Sequence, residues 1–322
     1  MNEILLSNEV IVYLLSESVL YLLLLIAFFS TVSLLRRWNF QAFTSEQFIL
    51  ENRSYLVMTI IFFVMILKML LLPYFVYTID NLSDLVPGAM CGAGVIKANR
   101  YGNLLLILKI IILFLSGLWL SLNRIDLKAK NYPYVRLKSW LFIIIFLFLS
   151  AEFILDLLYF THIGTTNPVS CCSVIYGQGG GANGLPFGLD ISKLIILFYL
   201  LYALTVLTMM GGLILISIFA TLLFLYISYY AVVYFFGTYI YELPTHLCPF
   251  CMLQDHYYYV GYVIWGSLLL GTFYALDSAV MAFFFRRPSV KLKRISLLFL
   301  TLFVLLCSAY VGVYYLKNGV FL

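Results

Sequence analysis

From Leu194 to Ile240 the chain runs for 47 residues without a charged side chain. One helix needs only about 20 apolar residues to cross a hydrocarbon layer roughly 30 Å thick. A run this long is therefore too long for one crossing and predicts two, with one helix plus a re-entrant segment as the alternative. The turn between them falls at Met209-Met210-Gly211-Gly212, because glycine adopts the backbone dihedrals of a tight turn without steric penalty.

Other stretches repeat the signal. Eight candidate spans lie near 10–35, 55–77, 102–122, 139–161, 191–210, 213–240, 257–285 and 295–316. Across the 322 residues, 64% are hydrophobic and only 10% are charged. Mean hydropathy is +1.04. Soluble domains carry about 25% charged residues. The balance excludes an ordinary soluble enzyme, a disordered chain and a small disulfide-stapled domain. The expected fold is an all-α integral membrane protein, a bundle of about eight transmembrane helices forming one polytopic domain over 1–322. The first span has no basic stretch before it and a basic pair after it, so it reads as a retained span rather than a secretory signal.

Lysine and arginine set the expected orientation. Arg36, Arg37 and Arg53 follow the first span. Arg124, Lys128, Lys130, Arg136 and Lys138 follow the third. Arg286, Arg287, Lys291, Lys293 and Arg294 follow the seventh, so 13 of 19 basic residues fall on one side. The positive-inside rule assigns these loops to the cytoplasm and both termini to the outside. The expected location is a bacterial inner membrane, in contact with lipid. The net charge of +5 reflects this anchoring and not nucleic-acid binding, because the basic residues are split among three loops.

Five of six cysteines, Cys91, Cys171, Cys172, Cys248 and Cys251, fall in outer loops or at outer helix ends. Cys307 lies inside the last span and reads as a small buried apolar residue. Filling space at random would put most thiols inside the spans. The outer side of a bacterial membrane is oxidising, so structural disulfides are one reading. Five cysteines cannot all pair within one chain. Cys248-Pro249-Phe250-Cys251 puts two sulfurs within one turn, able to close a disulfide or chelate a soft metal. Pro249 suits a helix start, which would set Cys248 at a helix N-terminus that favours thiolate. Cys171 and Cys172 are adjacent, and a glycine-rich stretch follows them. Cys91 sits between Met90 and Gly92. Thiols with Met90, Met252 and His246 nearby form a donor set suited to copper or zinc.

The Cys-Pro-Phe-Cys string resembles the redox motif of glutaredoxins over those four residues. In mechanism the chain resembles membrane thiol oxidoreductases, the quinone-linked disulfide-forming enzymes and the vitamin K epoxide reductases. That likeness implies Cys248 and Cys251 as a membrane-end pair, with Cys171 and Cys172, or Cys91, as the relay. It also implies a quinone or an outer thiol protein as electron partner. Those families have four or five core helices, and this chain has eight expected spans.

Ionisable residues inside a span are costly, so each marks a candidate site. Glu17, Lys68, Lys109, Glu152 and Asp156 fall within roughly 15 Å of the outer surface at 1.5 Å per residue. Glu152 and Asp156 are four apart and share a helix face. They form either a structural charge network or a proton or ion path.

Three function classes follow. The first is thiol–disulfide exchange coupled to the membrane. The second is binding, transport or delivery of copper or zinc by Cys248, Cys251, His246, Cys171, Cys172 and Cys91, with a metallochaperone as partner. The third is a subunit of a larger transporter or respiratory complex with structural disulfides. In that class, residues 36–54 would be an interfacial or coupling helix; the preferred reading of the segment is a plain separate helix on the membrane surface.

Overall fold

The computed structural model describes residues 3–38, 44–129, 132–164, 168–169, 185, 188–285 and 289–322. Among these residues there is helix and no strand. Eight helical segments are long and apolar enough to cross a membrane. In a lipid interior a helix meets every backbone hydrogen bond within itself, which is why the apolar runs take this form.

The chain divides into two compact units, residues 1–169 and 170–322. The first contains α1 (Asn8–Arg37), α2 (Ser45–Asn81), the short α3 (Gly92–Ile96), α4 (Gly102–Asp126) and α5 (Val135–Thr161). Ser7 and Thr44 cap α1 and α2, their side chains accepting from the Val10 and Gln47 amides at 3.4 Å each. Helix α1 packs on α2 and α5, and α4 packs on the same two, so the four long helices close a ring. Their common core includes Leu24, Ile61, Met65, Ile112, Trp119 and Phe146. Outward-facing Leu15, Phe29, Leu70 and Leu147 are exposed, as lipid contact requires.

The second unit contains α6 (Ile191–Gly211), α7 (Ile214–Ala231), α8 (Gly237–Tyr241), α9 (Val260–Phe285) and α10 (Val290–Asn318). A π-helical turn, Val232–Phe236, joins α7 to α8 and makes one apolar segment of them. Gly212 ends α6 at φ +72°, so the expected turn in the long uncharged run is present. Helix α7 packs on α6 and α9, and α10 packs on the same two. The same cyclic order of neighbours thus recurs in each unit. Phe198 occupies the middle of the second, with the rings of Phe224, Phe236 and Phe303 at 5.5, 5.1 and 5.9 Å.

Two boundary expectations are corrected. Residues 45–54 do not form a separate surface helix. They are the first turns of the 37-residue α2, which runs on past its apolar stretch because a helix satisfies its own backbone in water as well as in lipid. Lys138 is not in a loop. It is buried in α5, with Nζ 2.6 Å from Asp126 and 3.1 Å from Asn123 Oδ1, and pins the end of α4.

Candidate functional site

The Cys248–Cys251 turn lies between α8 and α9. Both thiols are buried, and their sulfurs lie within 4.8 Å of one another. The expected helix start is absent. Cys251–Leu253 is a single 3-10 turn, and α9 begins only at Val260. Tyr258 and Tyr259 intervene at φ +53° and +55°, a left-handed conformation that interrupts a right-handed helix. The turn is instead held by side chains. The Tyr241 hydroxyl donates to the Cys248 carbonyl and accepts from the Met252 amide at 3.1 Å. Trp265 Nε1 donates to the Pro249 carbonyl at 3.2 Å. Gly261 lets α9 approach, since a Cβ there would meet Met252 Cγ at 2.6 Å.

Tyr241, Trp265 and Gly261 therefore shape the turn. Tyr257 stacks edge-on against Tyr241 at 4.9 Å. Burial, together with the charge that Cys251 and Cys248 can carry, raises its phenol above the ordinary range. His246 lies against the Tyr241 ring at 4.3 Å. Met252 is fully buried, and Cys307 is a buried thiol within α10.

In the first unit Cys91 is fully buried at the start of α3. Its neighbour Gly92 donates its amide to Asp80 Oδ1 at 3.0 Å, which fixes the loop that follows α2. Met90, the residue before it, is 62% exposed, whereas Cys91 is fully buried. Cys171 and Cys172 lie outside the described residues.

The five ionisable residues expected at one depth come together in the first unit. Lys68 Nζ is 2.8 and 2.6 Å from the two Glu17 oxygens. It is 2.7 Å from Glu152 Oε2, an ion pair set by charge rather than by hydrogen-bond alignment. Lys109 Nζ donates to Glu152 Oε1 at 2.7 Å, to Asp156 Oδ2 at 2.9 Å and to the Tyr13 hydroxyl at 2.6 Å. The Tyr13 oxygen lies 3.1 Å from Glu17 Oε1 and 3.1 Å from both Asp156 oxygens. The result is a closed ring: Glu17, Lys68, Glu152, Lys109, Asp156, Tyr13 and back to Glu17. Every member is buried. Lys109 also lies over the Phe75 ring at 4.6 Å. Tyr13 is the member that sequence reasoning misses, since a tyrosine in an apolar run carries no charge to mark it.

Compared with known proteins, the chain matches no family model, no curated protein and no solved structure.

Proposed function

We propose that the chain is a membrane thiol–disulfide exchange protein whose reacting pair is Cys248 and Cys251. The observation that carries this reading is the spacing of the two sulfurs, within 4.8 Å, in a turn clamped at both ends by Tyr241. A disulfide forms when the sulfurs approach to about 2.05 Å, a small movement from such a pair. The step is a two-electron oxidation. Two S–H bonds are lost, one S–S bond forms, and two protons and two electrons pass to an acceptor of quinone or disulfide class. The thiolate is the nucleophile, and exchange with a protein partner runs through a mixed disulfide. The reading takes the membrane to be a bacterial inner membrane with the cysteine loops on its outer side, following the basic-loop count.

The same spacing favours one second reading. Two thiolates each about 2.3 Å from a zinc or copper ion fall at such a separation. They supply half of a four-ligand set, so metal binding needs further donors. A thiol pair that needs no more ligands than it has makes exchange the first choice.

The test is alkylation with a mass-shifting reagent, before and after dithiothreitol. We expect Cys248 and Cys251 to change state together as reductant or a quinone is added. A pair that stays fixed in one state under both treatments ends the exchange reading. Stoichiometric metal retained by the purified reduced protein replaces it with the second.

A further inference from the structure

The charge ring of the first unit contains three carboxyl groups and two ammonium groups. With all five ionised it holds one uncompensated negative charge, fully buried between membrane-spanning helices. Such a charge is expensive in a low-dielectric interior, and proteins remove it by taking up a cation or a proton. Glu17, Glu152 and Asp156 oxygens lie within 4.8 Å of one another, close enough to share an ion. Two lysine ammoniums already stand among those oxygens, and their charge repels a metal cation from the same space. A proton needs no such space.

The contacts indicate where the proton goes. Glu152 is faced by both lysines at 2.7 Å. Glu17 and Asp156 are each faced by one. The shortage of positive charge therefore falls on Glu17 and Asp156, and Tyr13 bridges them. A hydroxyl has one proton to give and two lone pairs. With Asp156 protonated, its O–H donates to Tyr13, which donates to Glu17. With Glu17 protonated, both bonds reverse. The Tyr13 oxygen accepts from Lys109 in either state. Moving the proton from one end to the other breaks one O–H bond and forms one at each step, with no net change in charge.

A small cavity borders the ring, lined among others by Tyr13, Lys68, Met69 and Ser116, with about 20 Å³ for water centres. One water needs roughly 10–15 Å³ measured this way, together with polar partners. Ser116 Oγ, in a residue only 1% exposed, has no hydrogen-bond partner among the described residues. Pro73 has no N–H to give to the Met69 carbonyl one turn earlier in α2. Ser116 Oγ offers a bond to a water in this cavity.

We propose that this ring is a binding site for one exchangeable proton, shared by Glu17 and Asp156 across Tyr13 and reached through the cavity at Ser116. The groups facing it are Tyr13 and Glu17 from α1, Lys68 from α2, Lys109 from α4, and Glu152 and Asp156 from α5. Tyr159, also on α5, turns its hydroxyl to the Val95 carbonyl at 2.9 Å. The site stands independently of the thiol reading, because it involves no cysteine.

Infrared difference spectroscopy on the full chain in lipid nanodiscs tests it at neutral pH. The background is Asp277→Asn, since Asp277 is a further buried carboxyl in α9. We expect one carboxylic-acid carbonyl band that shifts in deuterium oxide. It should vanish in Asp156→Asn and also in Glu17→Gln, because either change leaves two carboxylates facing two ammoniums. Ser116→Ala should slow deuterium entry into the band. A background spectrum with carboxylate bands alone overturns the proposal even if every variant fails to fold. So does a band that survives both substitutions, or one that disappears when sodium replaces choline in the buffer.

Discussion

Tyr241 shows how much a single side chain decides. Its hydroxyl satisfies the Cys248 carbonyl and the Met252 amide together, so it holds the two ends of the cysteine turn. Removing a partner from a buried polar group costs about 1–3 kcal/mol. Tyr241→Phe should therefore loosen the turn and expose thiols that are each only 5% accessible. In the reduced protein, alkylation of Cys248 and Cys251 should become roughly 5- to 30-fold faster, the factor that one to two kcal/mol provides. Stopped-time alkylation read by mass spectrometry measures the rate. An unchanged rate would assign the hold to Trp265 and Gly261 instead. At this scale the five ionic members of the ring are legible in sequence, because a charge within an apolar run is too costly to sit there without a partner. Tyr13 and Tyr241 are not, because a tyrosine near a membrane face has an ordinary use as an anchor.

Among the elements, helix identity and number are legible because a span must be apolar for its full length, and Ser7, Thr44 and Ser289 cap the starts of α1, α2 and α10. The expected turn at Gly211-Gly212 is present for the same reason, with Gly212 in the left-handed region. Two features are hidden. The ten additional residues at the start of α2 include Glu46, Glu51 and Arg53, which read as part of a separate surface helix in sequence and continue into the span in the structure. The break before α9 rests on two tyrosines at positive φ, a conformation that nothing in tyrosine chemistry announces. Contact between elements also depends on small residues. A Cβ on Gly271 of α9 would meet Leu300 of α10 at 2.6 Å, and Ser296 donates to the Gly271 carbonyl at 2.7 Å. Gly271→Ala should push these helices apart and cost about 1–3 kcal/mol, as overpacking does. Gly266→Ala, with open space around it, should cost nothing. Thermal unfolding of the two variants in detergent compares them directly, and equal midpoints would show that α10 yields to the added methyl.

For the whole molecule, the proposed orientation makes each unit enter and leave on the same side. A reporter active only in the cytosol should work when fused after Lys128 and fail when fused after Asp190. The opposite pattern would turn the molecule over and remove the oxidising surroundings on which thiol exchange depends. The middles of the two units differ in kind. One holds a ring of charges that invites a proton, and the other a cluster of phenylalanine rings around Phe198. That aromatic cluster is built from uncharged rings. Phenylalanine rings carry no hydrogen-bonding atom, so under the proposed exchange reading the cluster itself offers no path for the protons that Cys248 and Cys251 would release. Under that reading an electron acceptor would meet the pair at the turn itself, from the lipid or from the adjoining water.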